Sequence, residues 1–403
     1  MGIEIRPARD DELDRVHDVV ALSFNGDRSA EGRQKYIHIE RLASPTVLLE
    51  DGEIVAALRV YDFTTRMNGA LIPMGGVSSV SCYPEHRRRG HVGRLLVHAM
   101  EGMREKGQVL SALYTPHPSL YRKYGYMTAA INLKYSWHPK RVQPYRRQRP
   151  AGKAARIGEG DWQLLEHVYE RFAARRTGAM KRSETWWREG VFRHIYDDDR
   201  KVKDAAVWMD ASGETAGYAV YRSERGADKS TVWLAEFIAL TSDAYVGLLR
   251  YVLSHDLSDE VYWYGPVEDP LAYAVDDSGQ IKRELVDDYM LRVVDVAAAV
   301  AARPAAEGAP EGAFCVEISD ETCPWNAGTW RIENSGGALS AAKVNSPADL
   351  SMEAATFAAL YNGFMRAGEA IRCGIAEGRS AEAALLADRV LASNIPPRGS
   401  DFF

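Results

Sequence analysis

The stretch VSSVSCYPEHRRRGHVGRLLVHAMEGM, residues 77–103, sets a β-rich run against three consecutive arginines, a glycine and an apolar-periodic helix. A strand that feeds directly into a helix presents unpaired backbone N–H groups and the positive end of the helix dipole, so that corner favours an anion. Arg87, Arg88 and Arg89 add fixed charge in forks that match phosphate oxygens, and Gly90 lets a ligand approach without a Cβ in the way. The pattern points to a diphosphate-bearing ligand; the plain alternative is a solvated basic loop capping a helix. Context favours the ligand, because a further strand, QVLSALYT, and then LYRKYGY follow at short range.

Working outward, residues 4–24 alternate briefly and then turn helical, and residues 46–83 read as strands broken by the turn formers Asp51-Gly52 and Asn68-Gly69. Residues 1 to about 140 thus predict the order β-α-β-β-β-α-β-α-β. The Pro- and Arg-rich tract 138–153 reads as a boundary and a solvated linker rather than a nucleic-acid contact. From Ile157 a similar order of elements begins again, without an arginine–glycine turn between its strand and helix, as expected of a copy that has lost its ligand site. A Pro/Ala/Gly linker at 300–313 precedes antiparallel strands and two helices. The expected fold class is α/β (α+β) in three domains, 1–145, 146–298 and 299–403.

The 403 residues are 46% apolar, enough for a sizeable core in each domain. A net charge of −6 disfavours nucleic acid as a partner and suits a cationic one. Cys82, Cys315, Cys323 and Cys373 lack the short paired spacings of a metal or disulfide framework, so no metal and a reducing, cytoplasmic setting are expected. The charged N-terminal stretch has no apolar signal core and no segment is apolar enough to span a membrane, so neither export nor a membrane partner is expected. The acidic runs 197–199 and 287–288 read as solvated loops.

Residues 77–126 resemble the core of the GNAT acetyltransferase superfamily, whose cofactor motif is Gln/Arg-x-x-Gly-x-Gly/Ala. Arg87-Arg88-Arg89-Gly90 supplies its first half; Val92 then stands where Gly or Ala is usual, and Gly93 follows one residue later. Leu120-Tyr121-Arg122-Lys123-Tyr124-Gly125-Tyr126 matches the aromatic segment that follows the next strand. The whole layout, an active GNAT domain, a degenerate second one and a sterol-carrier-like third, resembles the enhanced intracellular survival family of multi-site aminoglycoside acetyltransferases.

That resemblance implies acetyl-CoA as co-substrate and no metal. Its pantetheine would pair with the backbone of Val80, Ser81 and Cys82, and its pyrophosphate would sit on Arg88, Arg89, Gly90, His91, Val92 and Gly93. Ser119 and Tyr121 would lie near the pantetheine arm, and His91, on the phosphate turn, would contact cofactor rather than act as a base. Either Tyr121 or Tyr126 could supply the acid that protonates the departing thiolate, and the family pattern assigns Tyr126. The base would be the C-terminal carboxylate of Phe403. A cationic amine would meet Asp27 and Asp401 between walls formed by Phe24 and Tyr36, although an aspartate cap and a core aromatic are the plain readings of such residues. The implied substrates are aminoglycosides or other polyamines, or protein lysines, and the implied assembly is a hexamer. A lipid carrier and a non-catalytic acetyl-CoA sensor are the competing classes.

Overall fold

The computed structural model describes residues 2–143, 149–194 and 201–403, apart from the side chains of 35, 38, 40 and 41. The middle of the basic tract (144–148) and the acidic run 197–199 lie outside the described residues. The chain forms two compact units. One comprises the residues up to Ala129, Tyr289–Asn394 and Phe403; the other comprises Ala130–Asp288 and Ile395–Phe402.

The first unit begins β1 (Ile3–Pro7), α1 (Leu13–Phe24), α2 (Ala30–Leu42), β2 (Pro45–Glu50), β3 (Glu53–Met67), β4 (Ala70–Cys82), α3 (His91–Glu105), β5 (Leu110–Leu113), α4 (Pro118–Arg122) and β6 (Met127–Thr128). Both expected hairpins form. Asp51-Gly52 and Asn68-Gly69 each take φ > 0 at both central positions, 52° and 90°, then 47° and 92°, which matches the twist of the flanking strands. α3 buries Leu95, Leu96, Ala99, Met100 and Met103 at helical spacing against the sheet.

The second unit runs β7 (Ile131–Trp137), β8 (Gly152–Ile157), α5 (Trp162–Ala173), α6 (Glu184–Trp186), β9 (Asp204–Asp210), β10 (Thr215–Arg225), β11 (Ser230–Ala239), α7 (Ser242–Leu253), β12 (Glu260–Gly265) and β13 (Lys282–Asp287). The chain then returns to the first unit with β14 (Met290–Val293), α8 (Val296–Ala302), β15 (Gly312–Ser319), β16 (Gly328–Ser335), β17 (Ala338–Lys343), β18 (Leu350–Glu353), α9 (Ala354–Tyr361), α10 (Ala367–Arg372), β19 (Ala376–Gly378) and α11 (Ala381–Val390). Three mixed sheets result, ordered β1-β2-β3-β4-β5-β14-β6, β13-β7-β12-β11-β10-β9-β8 and β17-β16-β15-β18-β19. Every residue of α9 is buried.

The sheets do not follow a sequential partition at 145 and 298. β7, expected in the first domain, pairs with β12 and β13 in the second sheet; β14, expected in the second, inserts between β5 and β6 in the first. Strand pairing is non-local, and the side-chain pattern of a short strand does not name the sheet it joins.

β14 carries a charge into the first core. Arg292 is fully buried, with Nη2 donating to both carboxylate oxygens of Asp320 at 2.9 and 2.7 Å. Asp320 also accepts from the backbone of Thr322 and Cys323 and from Asn326 Nδ2. Removing one partner of such a pair leaves an uncompensated charge in the interior. Asp320→Ala should therefore destabilise the protein by about 3–5 kcal/mol, seen as a shifted urea midpoint, whereas Arg331→Ala, in an exposed pair with Glu333, should leave the midpoint unchanged.

Candidate active site

The site is built on β4. Its parallel pairing with β5 covers only Met74–Gly76 opposite Leu110–Ala112. On its other edge β4 pairs with β3, and the register slips between Ala57, opposite Ser81, and Arg59, opposite Ser78. The extra residue makes a bulge at Ser79, whose φ is +53°, and a bulge bends its strand. From Val77 onward the edge of β4 that faces β5 has no ladder partner among the described residues. Of the three expected pantetheine partners, Val80 is half-buried, and Ser81 donates its hydroxyl to Ala57 O at 3.3 Å. Cys82 is already engaged at both main-chain groups: its N–H donates to Ser23 Oγ, and its carbonyl accepts from Arg87 Nε at 3.1 Å. Burial pushes the Cys82 thiol above its ordinary pKa.

The turn into α3 follows at the end of β4. Gly90, the N-cap, has φ +82° and supplies no side-chain cap, so the first N–H groups of the helix, His91 to Gly93, face the turn. Arg88 also has positive φ, +64°, a conformation unfavourable for a residue with a Cβ. The three arginines differ. Arg87 binds Cys82 O, and Arg89 donates to Glu50 Oε2 and Glu85 O at 3.0 Å each. Arg88 is exposed and makes no ion pair among the described residues.

His91 is turned inward, 2% exposed, so only its backbone N–H is presented at the turn; burial holds its imidazole below the ordinary pKa. Gly93 explains the departure from the family motif: a Cβ there would lie 2.4 Å from Tyr124 Oη, so the shifted glycine makes room for the aromatic segment.

That segment places Tyr126 fully buried beside β5, where its hydroxyl shares a 2.7 Å hydrogen bond with Ser111 Oγ. Burial pushes the Tyr126 phenol well above its ordinary pKa, partly offset by Ser111 and Arg292, and pushes Tyr121 up to about 12. The two tyrosine rings meet edge to face at 6.0 Å. Gly125, with φ +82°, is required for a second reason: the Arg292 guanidinium occupies the space a Cβ would need. Arg292 on β14 and Ser111 on β5 are cross-strand partners, so the pairing of these two strands sets the surroundings of Tyr126. Sequence reading missed Arg292; its one signal was a lone arginine inside the apolar strand MLRVV.

The C-terminus is ordered. The Phe403 ring is 5% exposed and packs on Phe63 (4.9 Å), Tyr114 (5.2 Å) and Tyr61 (6.2 Å). It lies over Gly76, the last β4 residue paired with β5. The expected substrate contacts divide. Phe24 is 60% exposed at the end of α1, and half-buried Tyr36 faces His17 at 6.2 Å. Asp27 Oδ1 accepts from Ser29 N–H and so shapes the turn before α2. Ser119 is exposed on the first turn of α4.

In the second unit Asp401 is buried, with Oδ1 accepting from Arg182 Nε and Trp186 Nε1 at 2.8 Å each, which is the geometry of a tail anchor. Arg182 also binds Glu236 through two parallel hydrogen bonds, and Tyr218 donates to Glu236 at 2.6 Å. Glu236 lies on β11 just past Leu234, where pairing with β12 stops. The start of α7 is closed by its own Thr241 side chain, which accepts from Ala244 N–H. The second unit thus repeats the splayed strand but fills it with an ion network. Asp288, expected in a solvated loop, instead accepts from Gly399 N–H at 2.7 Å, and burial pushes it up to about 6.

The chain matches the models of two acetyltransferase (GNAT) domains, residues 4–129 and 178–293, and of a sterol carrier protein domain, residues 296–398. An uncharacterized N-acetyltransferase of Streptomyces coelicolor is 29% identical over 385 residues, 91% of each chain. The N-acetyltransferase Eis of Mycobacterium tuberculosis is 23% identical over 366 residues, 87% of each chain. The crystal structure of Eis1 from Mycobacterium abscessus has the same fold over 100% of both chains, with a TM-score of 0.82 at 23% identity. Two GNAT domains followed by a sterol carrier domain define an N-acetyltransferase of the GNAT superfamily. Within that class, the chain is similar over most of its length to the N-acetyltransferase Eis, with the same order of domains. No helix among the described residues is long and apolar enough to cross a membrane.

Gly76→Ala would drive a Cβ to within 2.6–2.8 Å of the Phe63 and Phe403 rings. Displacement of the last residue is the expected outcome: carboxypeptidase should release Phe403 several-fold faster than from the parent protein, and an unchanged rate would show that the ring contact does not hold the terminus.

Proposed function

We propose that this protein transfers the acetyl group of acetyl-CoA to an amine of a polycationic small molecule, an aminoglycoside or a related polyamine. The observation that carries the reading is the pairing of two features on one strand: an edge of β4 that parts from β5 after Gly76 and, at its end, an uncapped helix N-terminus beside Arg88. A pantetheine arm needs amides to pair with, and a diphosphate needs N–H groups and cations. Bound there, acetyl-CoA supplies a thioester acyl group that an amine nitrogen can accept.

Val80 and Ser81 would pair with the pantetheine, while Arg88, Arg89, Gly90 and the N–H groups of His91, Val92 and Gly93 would hold the diphosphate. Tyr126 would hold the proton needed at the departing sulfur. Its raised pKa keeps the phenol protonated through neutral pH, and Ser111 orients it. Tyr121, packed against it, would shape the wall. The carboxylate of Phe403 would accept the proton that the amine loses, and it carries a charge that attracts an ammonium. Phe24, Asp27 and Tyr36 would border the amine, with Asp401 holding the tail. The family resemblance extends to a cytoplasmic hexamer, which size-exclusion chromatography with light scattering would test.

Thiol release from acetyl-CoA with a panel of aminoglycosides and polyamines tests the reading. Turnover should fall by about 10²-fold or more in Tyr126→Phe and on deletion of Phe403. Arg88→Ala should mainly raise the KM for acetyl-CoA, by about ten- to a hundredfold. Acetyl-CoA binding without turnover of any amine would leave a sensor, and no acetyl-CoA binding at all would remove both readings. The pH profile gives a separate check. A phenol whose pKa is raised loses its proton only above its ordinary value of about 10, so kcat should rise with amine deprotonation and show no alkaline decline below about pH 10. A decline centred near pH 8 would exclude Tyr126 as the acid.

A further inference from the structure

Three side chains converge beneath the phosphate-binding turn without being needed for it: Glu50 at the end of β2, His86 before the turn and His91 at the start of α3. One ligand atom from each lies within 4.8 Å of the others. His86 Nδ1 is 2.7 Å from Glu50 Oε2, and His91 Nε2 is 3.7 Å from Glu50 Oε1. His91 is 2% exposed, and neither of its ring nitrogens has a hydrogen-bond partner in the protein. Burying two polar nitrogens without partners is costly, and such a group in a folded core calls for an explanation.

We propose that Glu50, His86 and His91 form a binding site for a divalent transition-metal ion of the zinc class. Two imidazole nitrogens and one carboxylate are the donors that borderline ions prefer, and tetrahedral coordination at about 2.0–2.2 Å requires ligand atoms roughly 3.3 Å apart. The two separations from Glu50, 2.7 and 3.7 Å, bracket that value, and the two histidine ligand atoms lie within 4.8 Å of each other. A three-ligand set leaves the fourth position to water. The ion would replace the Arg89 Nη1 contact on Glu50 Oε2, now 3.0 Å, leaving that guanidinium to the anion-binding turn, and would tie the end of β2 to the start of α3. Short-spacing rules miss this site because the carboxylate stands 36 residues before His86. The proposal does not depend on the acetyl-transfer reading.

Titration of the full-length apoprotein with Zn²⁺, followed by calorimetry, tests it, with Co²⁺ absorption reporting the coordination. One equivalent should bind per chain, and Co²⁺ should give the visible bands of a four- or five-coordinate site with nitrogen donors. His86→Ala, which removes a partly exposed ligand, should weaken Zn²⁺ binding by about tenfold or more. Glu50→Gln keeps the side-chain shape and should do the same; thermal unfolding confirms that each variant is folded. No binding by the parent protein, or binding that both folded variants retain at full affinity, would overturn the site.

Discussion

One strand cannot satisfy two neighbours along its whole length here. β4 is held by β3 throughout, but past Gly76 it parts from β5, and everything chemically distinctive in the first unit follows from that parting. The extra residue at Ser79 forces the bend, and the Gly75-Gly76 pair lets large side chains crowd against the strand where it begins to bend. A Cβ at Gly75 would meet Met103, and one at Gly76 would meet Phe63 and Phe403. Past Gly76 the β5-facing edge of β4 has no ladder partner, and the proposed cofactor site rests on that feature.

The second unit shows the same constraint resolved differently. β11 also bulges, between the pairs Val220–Glu236 and Tyr221–Leu234, and also parts from its parallel neighbour. There the opening holds Arg182, Glu236, Tyr218 and Asp401, all buried and mutually bonded. A network of this kind is stable only when complete, because each member leaves a buried charge or donor behind if removed.

Much of this was legible in sequence where the physics is local. Asp-Gly and Asn-Gly turns, the helix periodicity of residues 91–105 and the arginine–glycine corner each depend on neighbours a few residues away, and each appears where expected. The aromatic segment was legible too, but the reason for its glycine was not: Gly125 is required by Arg292, 167 residues later, as well as by its own positive φ. The exchange of β7 and β14 between sheets was invisible because alternation of apolar residues does not name a partner strand. Asp401 read as a substrate carboxylate because its two buried partners, Arg182 and Trp186, lie more than 200 residues away. Glu50 drew no attention for the same reason.

In the proposed function, the β4 edge that parts from β5 and the turn before α3 together receive acetyl-CoA. Amide hydrogen exchange, read by peptide, tests this most directly. With saturating acetyl-CoA, amides in residues 78–82 and 89–93 should gain protection, while those of residues 234–244 in the second unit should not change. Protection confined to the second unit, or bound acetyl-CoA with no protection at either segment of the first, would contradict it.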